Sequence, residues 1–182
     1  MENAMLRDIE RVLLTGEQIS ERIKSIAEEL KKEYEHKNPL ILCILKGSFI
    51  FAADLVRELD FPCTVEFICA SSYGKSTVSG DLIIKNDIDF KVAGRHVIIA
   101  EDILDTGRTL KHIMDIISAE KPASLKLCTL LDKPERREQE IKADIIGFEI
   151  PNEFVVGYGL DYAEKYRNLR FVGVLKKDVY SG

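Results

Sequence analysis

Val97 to Leu110 reads VIIAEDILDTGRTL, and the fold class follows from how its two halves differ. Val97-Ile98-Ile99-Ala100 is a short unbroken apolar run, the pattern of a parallel-sheet strand buried on both faces. It predicts a central strand. That strand runs into Glu101-Asp102, and adjacent carboxylates at its carboxyl end stand where open α/β sheets hold their ligands. Asp105-Thr106-Gly107-Arg108-Thr109 then leads into Leu110, Ile113, Met114 and Ile117, an apolar stripe at helical spacing. The order is strand, acidic tip, loop, helix. A loop of small and hydroxyl residues opening a helix leaves backbone N–H groups free for an anion such as phosphate, with the Thr106 and Thr109 hydroxyls as further donors.

Carboxylates beside a phosphate cradle suit one ligand bearing both a phosphate and vicinal hydroxyls, as a ribose 5-phosphate does. The competing reading is that Asp105 or Thr106 only caps the helix and that Glu101-Asp102 is a solvated corner.

The 182 residues, 46% hydrophobic and 31% charged, suit one globular domain spanning residues 1–182. A net charge of −5 argues against a nucleic-acid binder that works by phosphate neutralisation, so a small-molecule partner is expected. The cysteines at 43, 63, 69 and 128 make no C-x-x-C pair. Cys43, Cys69 and Cys128 sit in apolar runs, which predicts buried free thiols rather than disulfides or a zinc site. With no signal-peptide pattern and no apolar run of membrane-spanning length, the expectation is a soluble cytoplasmic protein with no membrane partner.

Elsewhere apolar strands alternate with helices, which is the α/β pattern. Thr15 with Gln18 makes a capping-box signature for a helix carrying Ile19, Ile23, Ile26, Ala27 and Leu30 on one face. Leu40 to Leu45 is a second buried-strand run, turned by Lys46-Gly47-Ser48 into an apolar helix from Phe49 to about Leu59. Further strands are expected at Val65 to Cys69, Leu82 to Ile84, Leu125 to Leu131, Ile145 to Phe148, Phe154 to Val156 and Phe171 to Leu175. Lys46-Gly47 follows its strand as Glu101-Asp102 follows the central one. Both tips then face one crevice, where a lysine suits an anion; otherwise Lys46 is a solvated turn residue. The stretch 71–81, SSYGKSTVSGD, has almost no core-forming residues and reads as a lid, a binding loop or a plain hairpin. Lys133 ends a strand among the charges of Pro134-Glu135-Arg136-Arg137, the look of a surface turn. Phe154 is a core aromatic or, beside a crevice, a stacking platform for a flat base. Gly157-Tyr158-Gly159 fails the dinucleotide fingerprint, because Tyr162 stands where a third glycine is needed.

The string from Val97 to Thr109 closely resembles the phosphoribosyl-diphosphate-binding motif of the type I phosphoribosyltransferases. In that motif hydrophobic residues precede two acidic residues and a D-T-G-x-T loop. Leu45-Lys46-Gly47, Ser72-Tyr73, Leu131-Asp132-Lys133-Pro134, Phe154 to Asp161 and Arg167 follow the same family in order. The resemblance runs from about Val12 to Leu175 and is nearest to the bacterial hypoxanthine-guanine phosphoribosyltransferases. Ser48 stands where some relatives have glycine, and Arg108 where some have lysine.

The resemblance implies a type I phosphoribosyltransferase fold: a twisted parallel sheet flanked by helices, with a small hood from N- and C-terminal pieces over the purine. It implies magnesium-dependent transfer of a phosphoribosyl group from 5-phosphoribosyl 1-diphosphate to hypoxanthine or guanine, with Asp105 as general base. Lys46, Gly47 and Arg167 would hold pyrophosphate, with a cis peptide at Lys46 exposing backbone N–H groups. Asp105, Thr106, Gly107, Arg108 and Thr109 would hold the 5-phosphate, and Glu101, Asp102 and Asp161 would orient Mg2+ and the ribose. Lys133 would read the purine's six-position oxygen, Phe154 would stack on the ring, and the Val155 carbonyl would meet the two-position. Ser72 and Tyr73 would belong to a closing lid, and the assembly would be a dimer or tetramer. A regulator that only senses phosphoribosyl diphosphate, and an enzyme preferring xanthine, are the competing function classes.

Overall fold

Unbroken apolar strands need cover on both faces, and the arrangement of elements supplies it. The computed structural model describes residues 4–71, 83–84 and 91–181. In chain order these form α1 (Ala4–Arg7), β1 (Ile9–Leu14), α2 (Gly16–Tyr34), β2 (Leu40–Leu45), α3 (Phe49–Glu58), β3 (Thr64–Ser71), β4 (Ile83–Ile84), β5 (His96–Leu104), α4 (Arg108–Ala119), β6 (Ser124–Asp132), β7 (Ile145–Glu149), β8 (Val155–Val156), β9 (Val172–Leu175) and α5 (Lys177–Tyr180).

The main sheet has the order β4-β3-β2-β5-β6-β7, five strands parallel and β4 an antiparallel edge. Ile41, Cys43, Ile98, Ala100 and Cys128 face one apolar cluster with the stripe of α2 and with Phe51 and Leu55 of α3. Leu40, Leu42, Val97, Ile99 and Leu127 face another with Leu110, Ile113 and Ile117 of α4. Fully burying side chains of this size contributes roughly 1.5–3 kcal/mol each. Thr15 starts α2 as expected: its Oγ1 accepts from Gln18 N at 3.3 Å, and its own N–H donates to Gln18 Oε1 at 2.8 Å. Cys43 and Cys128 are buried free thiols, whereas Cys63 and Cys69 are only half-buried. Among the described residues no helix is long and apolar enough to cross a membrane.

The central strand is longer than its apolar run. β5 continues through Glu101 and Asp102 to Leu104, so the acidic pair lies inside the strand rather than beyond its tip. The cause is β6, which runs on alongside and pairs Glu101 with Thr129, Ile103 with Leu131 and Leu104 with Asp132. On the other side β2 accompanies β5 only as far as Cys43 opposite Ala100. The chain leaves β2 toward β3 in one direction and β5 toward β6 in the other, which opens a crevice beside the carboxyl half of β5.

A second, antiparallel sheet has the order β1-β9-β8. It joins Ile9 to Leu175 and Leu14 to Val172, and Val155 to Val174, so N- and C-terminal pieces build one small hood.

Candidate active site

At the end of β2 the Leu45–Lys46 peptide is cis. Ser48 Oγ donates to Ile44 O at 2.6 Å and closes the turn that follows. Gly47 faces Asp102 so closely that a β-carbon would stand 1.8 Å from Asp102 Oδ2. A β-carbon on Gly159 would stand 2.1 Å from Gly47 O, so the hood loop closes against the same backbone. Arg167 fixes that loop, donating from Nη1 to Gly159 O at 2.8 Å and pairing through Nη2 with Asp161 Oδ1 at 2.8 Å. Its Nε is enclosed without a hydrogen-bond partner among the described residues. Lys46 Nζ reaches Glu164 Oε1 at 3.1 Å, and Glu164 also lies 3.6 Å from Arg167.

Two carboxylates on β5 sit in a poorly solvated place. Burial pushes the Asp102 carboxyl up to about 6, and nearby Asp161 adds to this; the Ile103 N–H and the Arg167 guanidinium act against it. Burial, then the charge of Asp102, raises Glu101 well above the ordinary carboxylate range. Glu101 is only partly buried as a residue, yet its Oε2 is enclosed and has no hydrogen-bond partner among the described residues. Such an oxygen costs free energy until a donor or a cation meets it.

The loop after β5 leads into α4 through Gly107, whose φ of +83° is the left-handed region that favours glycine. A β-carbon there would also stand 2.6 Å from Ile141 Cγ2. No side chain at Gly107 caps the helix; the Thr106 hydroxyl accepts only a long bond, 3.4 Å, from Arg108 N. Thr109 is partly exposed in the first turn, and Arg108 points to Glu138 at 2.5 Å. Asp105 Oδ1 is enclosed and lacks a hydrogen bond among the described residues, although Arg136 Nε lies 3.1 Å away as its ion-pair partner.

Beside that loop a cavity of about 360 Å³ is lined by Ile103, Asp105, Lys133, Arg136, Phe154 and Val155, with Tyr180 and the hood turn completing its wall. Lys133 is 7% exposed, unlike a solvated turn lysine. Its Nζ donates to Glu153 O at 2.6 Å, and burial holds its pKa below the usual lysine value. Phe154 stacks on Tyr180 at 4.7 Å and 20° and meets Tyr162 edge-on at 5.6 Å. A larger cleft of about 920 Å³ at the start of α2 is lined by none of the described candidate site residues. Ser72 and Tyr73 lie outside the described residues. Sequence reasoning passed over Glu164 and gave Arg137 no role; the paired arginines after β6 were the one visible signal.

Residues 12–163 match the family model described as the phosphoribosyl transferase domain. The chain belongs to this family. The hypoxanthine-guanine phosphoribosyltransferase of Streptococcus pneumoniae strain R6 is 50% identical over 96% of this chain and 97% of its own length. The bifunctional protein TilS/HprT of Listeria monocytogenes serotype 4b is 49% identical over 98% of this chain, which spans only 28% of that longer protein. In three dimensions a hypoxanthine phosphoribosyltransferase from Staphylococcus aureus superposes with a TM-score of 0.95 and 44% identity, covering 100% of both chains. In this family member Gly47, Asp102, Asp161 and Arg167 form one cluster beside β5, Asp105, Lys133, Phe154 and Val155 line the cavity next to it, and Thr106 to Thr109 form the separate turn into α4.

Proposed function

We propose that this phosphoribosyltransferase moves the phosphoribosyl group of 5-phosphoribosyl 1-diphosphate onto hypoxanthine or guanine. The bond from ribose carbon 1 to the diphosphate oxygen breaks, a bond from that carbon to a purine nitrogen forms, and the nitrogen's proton passes to Asp105. The observation that carries this reading is the single cavity joining Asp105, Lys133 and Phe154 beside the N-terminus of α4. The Asp105 carboxylate is half-buried, and its Oδ1, ion-paired with Arg136 but without a hydrogen bond among the described residues, is available as an acceptor for that proton. Lys133 has donors left over from Glu153 to offer an oxygen at the purine six-position, Phe154 offers a ring face, and the buried Val155 offers its backbone near the two-position.

In the same reading the turn from Asp105 through Thr106, Gly107, Arg108 and Thr109 holds the 5-phosphate, chiefly through backbone N–H groups at the start of α4. Lys46, Gly47 and Arg167 hold the diphosphate, and Glu101, Asp102 and Asp161 face the ribose hydroxyls and a cation. Ser72 and Tyr73 are assigned to a closing lid on family resemblance alone. Mg2+ fits the donor set: Glu101 Oε2 is a buried oxygen without a hydrogen-bond partner among the described residues. Among the described residues no three or more acidic, His or Cys side chains gather into a cage. Magnesium is held this way when one or two carboxylates and the substrate's own phosphates complete its shell. When bound it would neutralise charge developing on the departing diphosphate.

Free thiols support a reducing, cytoplasmic setting. The exposed rings of Phe49 and Phe67 support burial in a homo-oligomer, a dimer or tetramer, which light scattering would test. The activity test is to supply phosphoribosyl diphosphate, Mg2+ and one free base at a time while following pyrophosphate. Release with hypoxanthine and guanine is expected; release with xanthine alone, or with no base, overturns the assignment.

A further inference from the structure

Arg137 follows the turn after β6 and has no part in the reaction as assigned above, yet its side chain is only 16% exposed. Nη1 donates to two consecutive carbonyls, Leu104 O at 3.1 Å and Asp105 O at 2.7 Å. Nη2 pairs with Oδ1 of Asp132, itself only 10% exposed. Leu104 and Asp132 are the last paired residues of β5 and β6. One planar guanidinium therefore spans the ends of two strands, and each strand end leads directly into a residue of the base cavity, Asp105 on one side and Lys133 on the other.

The neighbours of Arg137 reinforce this brace. Lys133 N donates to Leu104 O at 3.0 Å and Glu138 N to Thr106 O at 2.9 Å. Arg136 faces the Asp105 carboxylate and Glu138 the Arg108 guanidinium. The segment 133–138 thus holds the phosphate loop at Leu104, Asp105, Thr106 and Arg108. Arg137 is its only side chain that is both largely buried and bonded to the backbone on each side of the general-base position. Leu104 O already accepts from Lys133 N, and the guanidinium adds a bond there and one at Asp105 O from Nη1 while Nη2 reaches the Asp132 carboxylate; a planar fork spans these partners from two nitrogens where an ammonium offers a single point.

We infer that Arg137 is a positioning residue for base transfer: it sets the separation of Asp105 from Lys133, so that a purine seated on Lys133 presents its reacting nitrogen to Asp105. It touches no substrate. The inference rests on the proposed reaction, in which misplacing reacting groups by about 1 Å can cost 10²-fold in rate.

The test compares wild type with Arg137→Lys and with the double variant Asp132→Asn/Arg137→Gln, which removes the ion pair without leaving a lone buried charge. Wild type is assayed first by pyrophosphate release with hypoxanthine; no release there overturns the proposed reaction and this inference with it. Given an active wild type, the single-turnover rate of transfer is expected to fall by about 10²-fold in both variants. Dissociation constants for hypoxanthine and for phosphoribosyl diphosphate, measured by calorimetry on the folded protein, should stay within about threefold, because no substrate contact is removed. Wild-type single-turnover rates in Arg137→Lys overturn the inference. So does a loss that merely follows the folded fraction or appears wholly as weaker binding, which marks Arg137 as a structural brace only. If neither variant folds, the brace serves stability and the positioning role is rejected.

Discussion

Gly47 and Asp102 interlock: Asp102 Oδ2 occupies the space where any side chain at position 47 would begin, 1.8 Å from an ideal β-carbon. The carboxylate is buried and bonded to Ile103 N at 2.9 Å, so it cannot swing away freely. Gly47→Ala must therefore shift the turn, the β5 carboxylate or both, at a cost of about 1–3 kcal/mol for overpacking. The expected outcome is a fall in kcat/KM for phosphoribosyl diphosphate of about 10²-fold, in line with displaced reacting groups. Steady-state kinetics with the diphosphate varied would check it. Wild-type turnover would show that the contact yields and that Gly47 is only a turn residue.

Asp102 also gives the protein a pH signature in the absence of divalent cations. Its folded-state pKa, about 6, lies above the ordinary 3.8, so between these values the folded protein binds the extra proton. Its contribution is therefore fully favourable below the lower value and is lost as pH rises through the upper one, a change of roughly 3 kcal/mol. Asp102→Asn removes that titration while leaving an oxygen to accept from Ile103 N. The variant should match wild type in urea unfolding at about pH 4 and exceed it by up to about 3 kcal/mol at about pH 8, while losing transferase activity. A stability difference that does not change with pH would reject the assignment of the burial cost to Asp102.

The core of the fold was legible where a short stretch carried its own signal. Leu40 to Leu45 and Val97 to Ala100 announced buried strands, and Thr15 with Gln18 announced the start of α2. The extension of β5 through Glu101 and Asp102 was not legible, because those residues are held in the ladder by Thr129 and Leu131 on another strand. β1 was missed for a related reason: Glu10 and Arg11 interrupt its apolar residues, and its only partner is β9 near the other end of the chain. The site shows the same division. Asp105 to Thr109 reads as an anion-binding turn locally, whereas the burial of Lys133 beneath Glu153 and the reach of Arg137 to Leu104 depend on contacts between segments. Charged residues in sequence around Lys133 look solvated; the hood that buries it is built from pieces far away.

Asp105 is the proposed proton acceptor, and its enclosed Oδ1 is ion-paired with Arg136 but makes no hydrogen bond among the described residues. Asp105→Asn keeps the size of the side chain but removes its charge, and with it both the capacity to take a proton and the ion pair with Arg136. The single-turnover rate should drop by about 10²-fold or more, the usual share of a general base, with affinity for phosphoribosyl diphosphate largely kept. Rapid-quench measurement of the nucleotide product is the check. A variant with near-normal chemistry would move the proton acceptor elsewhere in the cavity.

In the proposed reaction Lys133 would decide base choice by what an ammonium can and cannot do. It donates hydrogen bonds and accepts none. One donor is already committed to Glu153 O, and burial leaves the others without bulk water to satisfy them. Hypoxanthine and guanine bring an acceptor oxygen to that point; adenine brings an amino group that leaves the charge unpaired. Failing to satisfy a buried charged donor is costly, so wild type should favour the oxopurines over adenine by roughly 10³-fold. Lys133→Ala should raise KM for hypoxanthine and guanine and narrow that preference by about tenfold or more, with KM for phosphoribosyl diphosphate little changed. Because burial lowers the lysine pKa, loss of oxopurine preference with rising pH should set in below the pH at which a free lysine titrates. Competition assays with paired bases across that range read both effects. Undiminished discrimination in the alanine variant would mean that Lys133 merely ties β6 to the hood and that purine choice is made by other walls of the cavity.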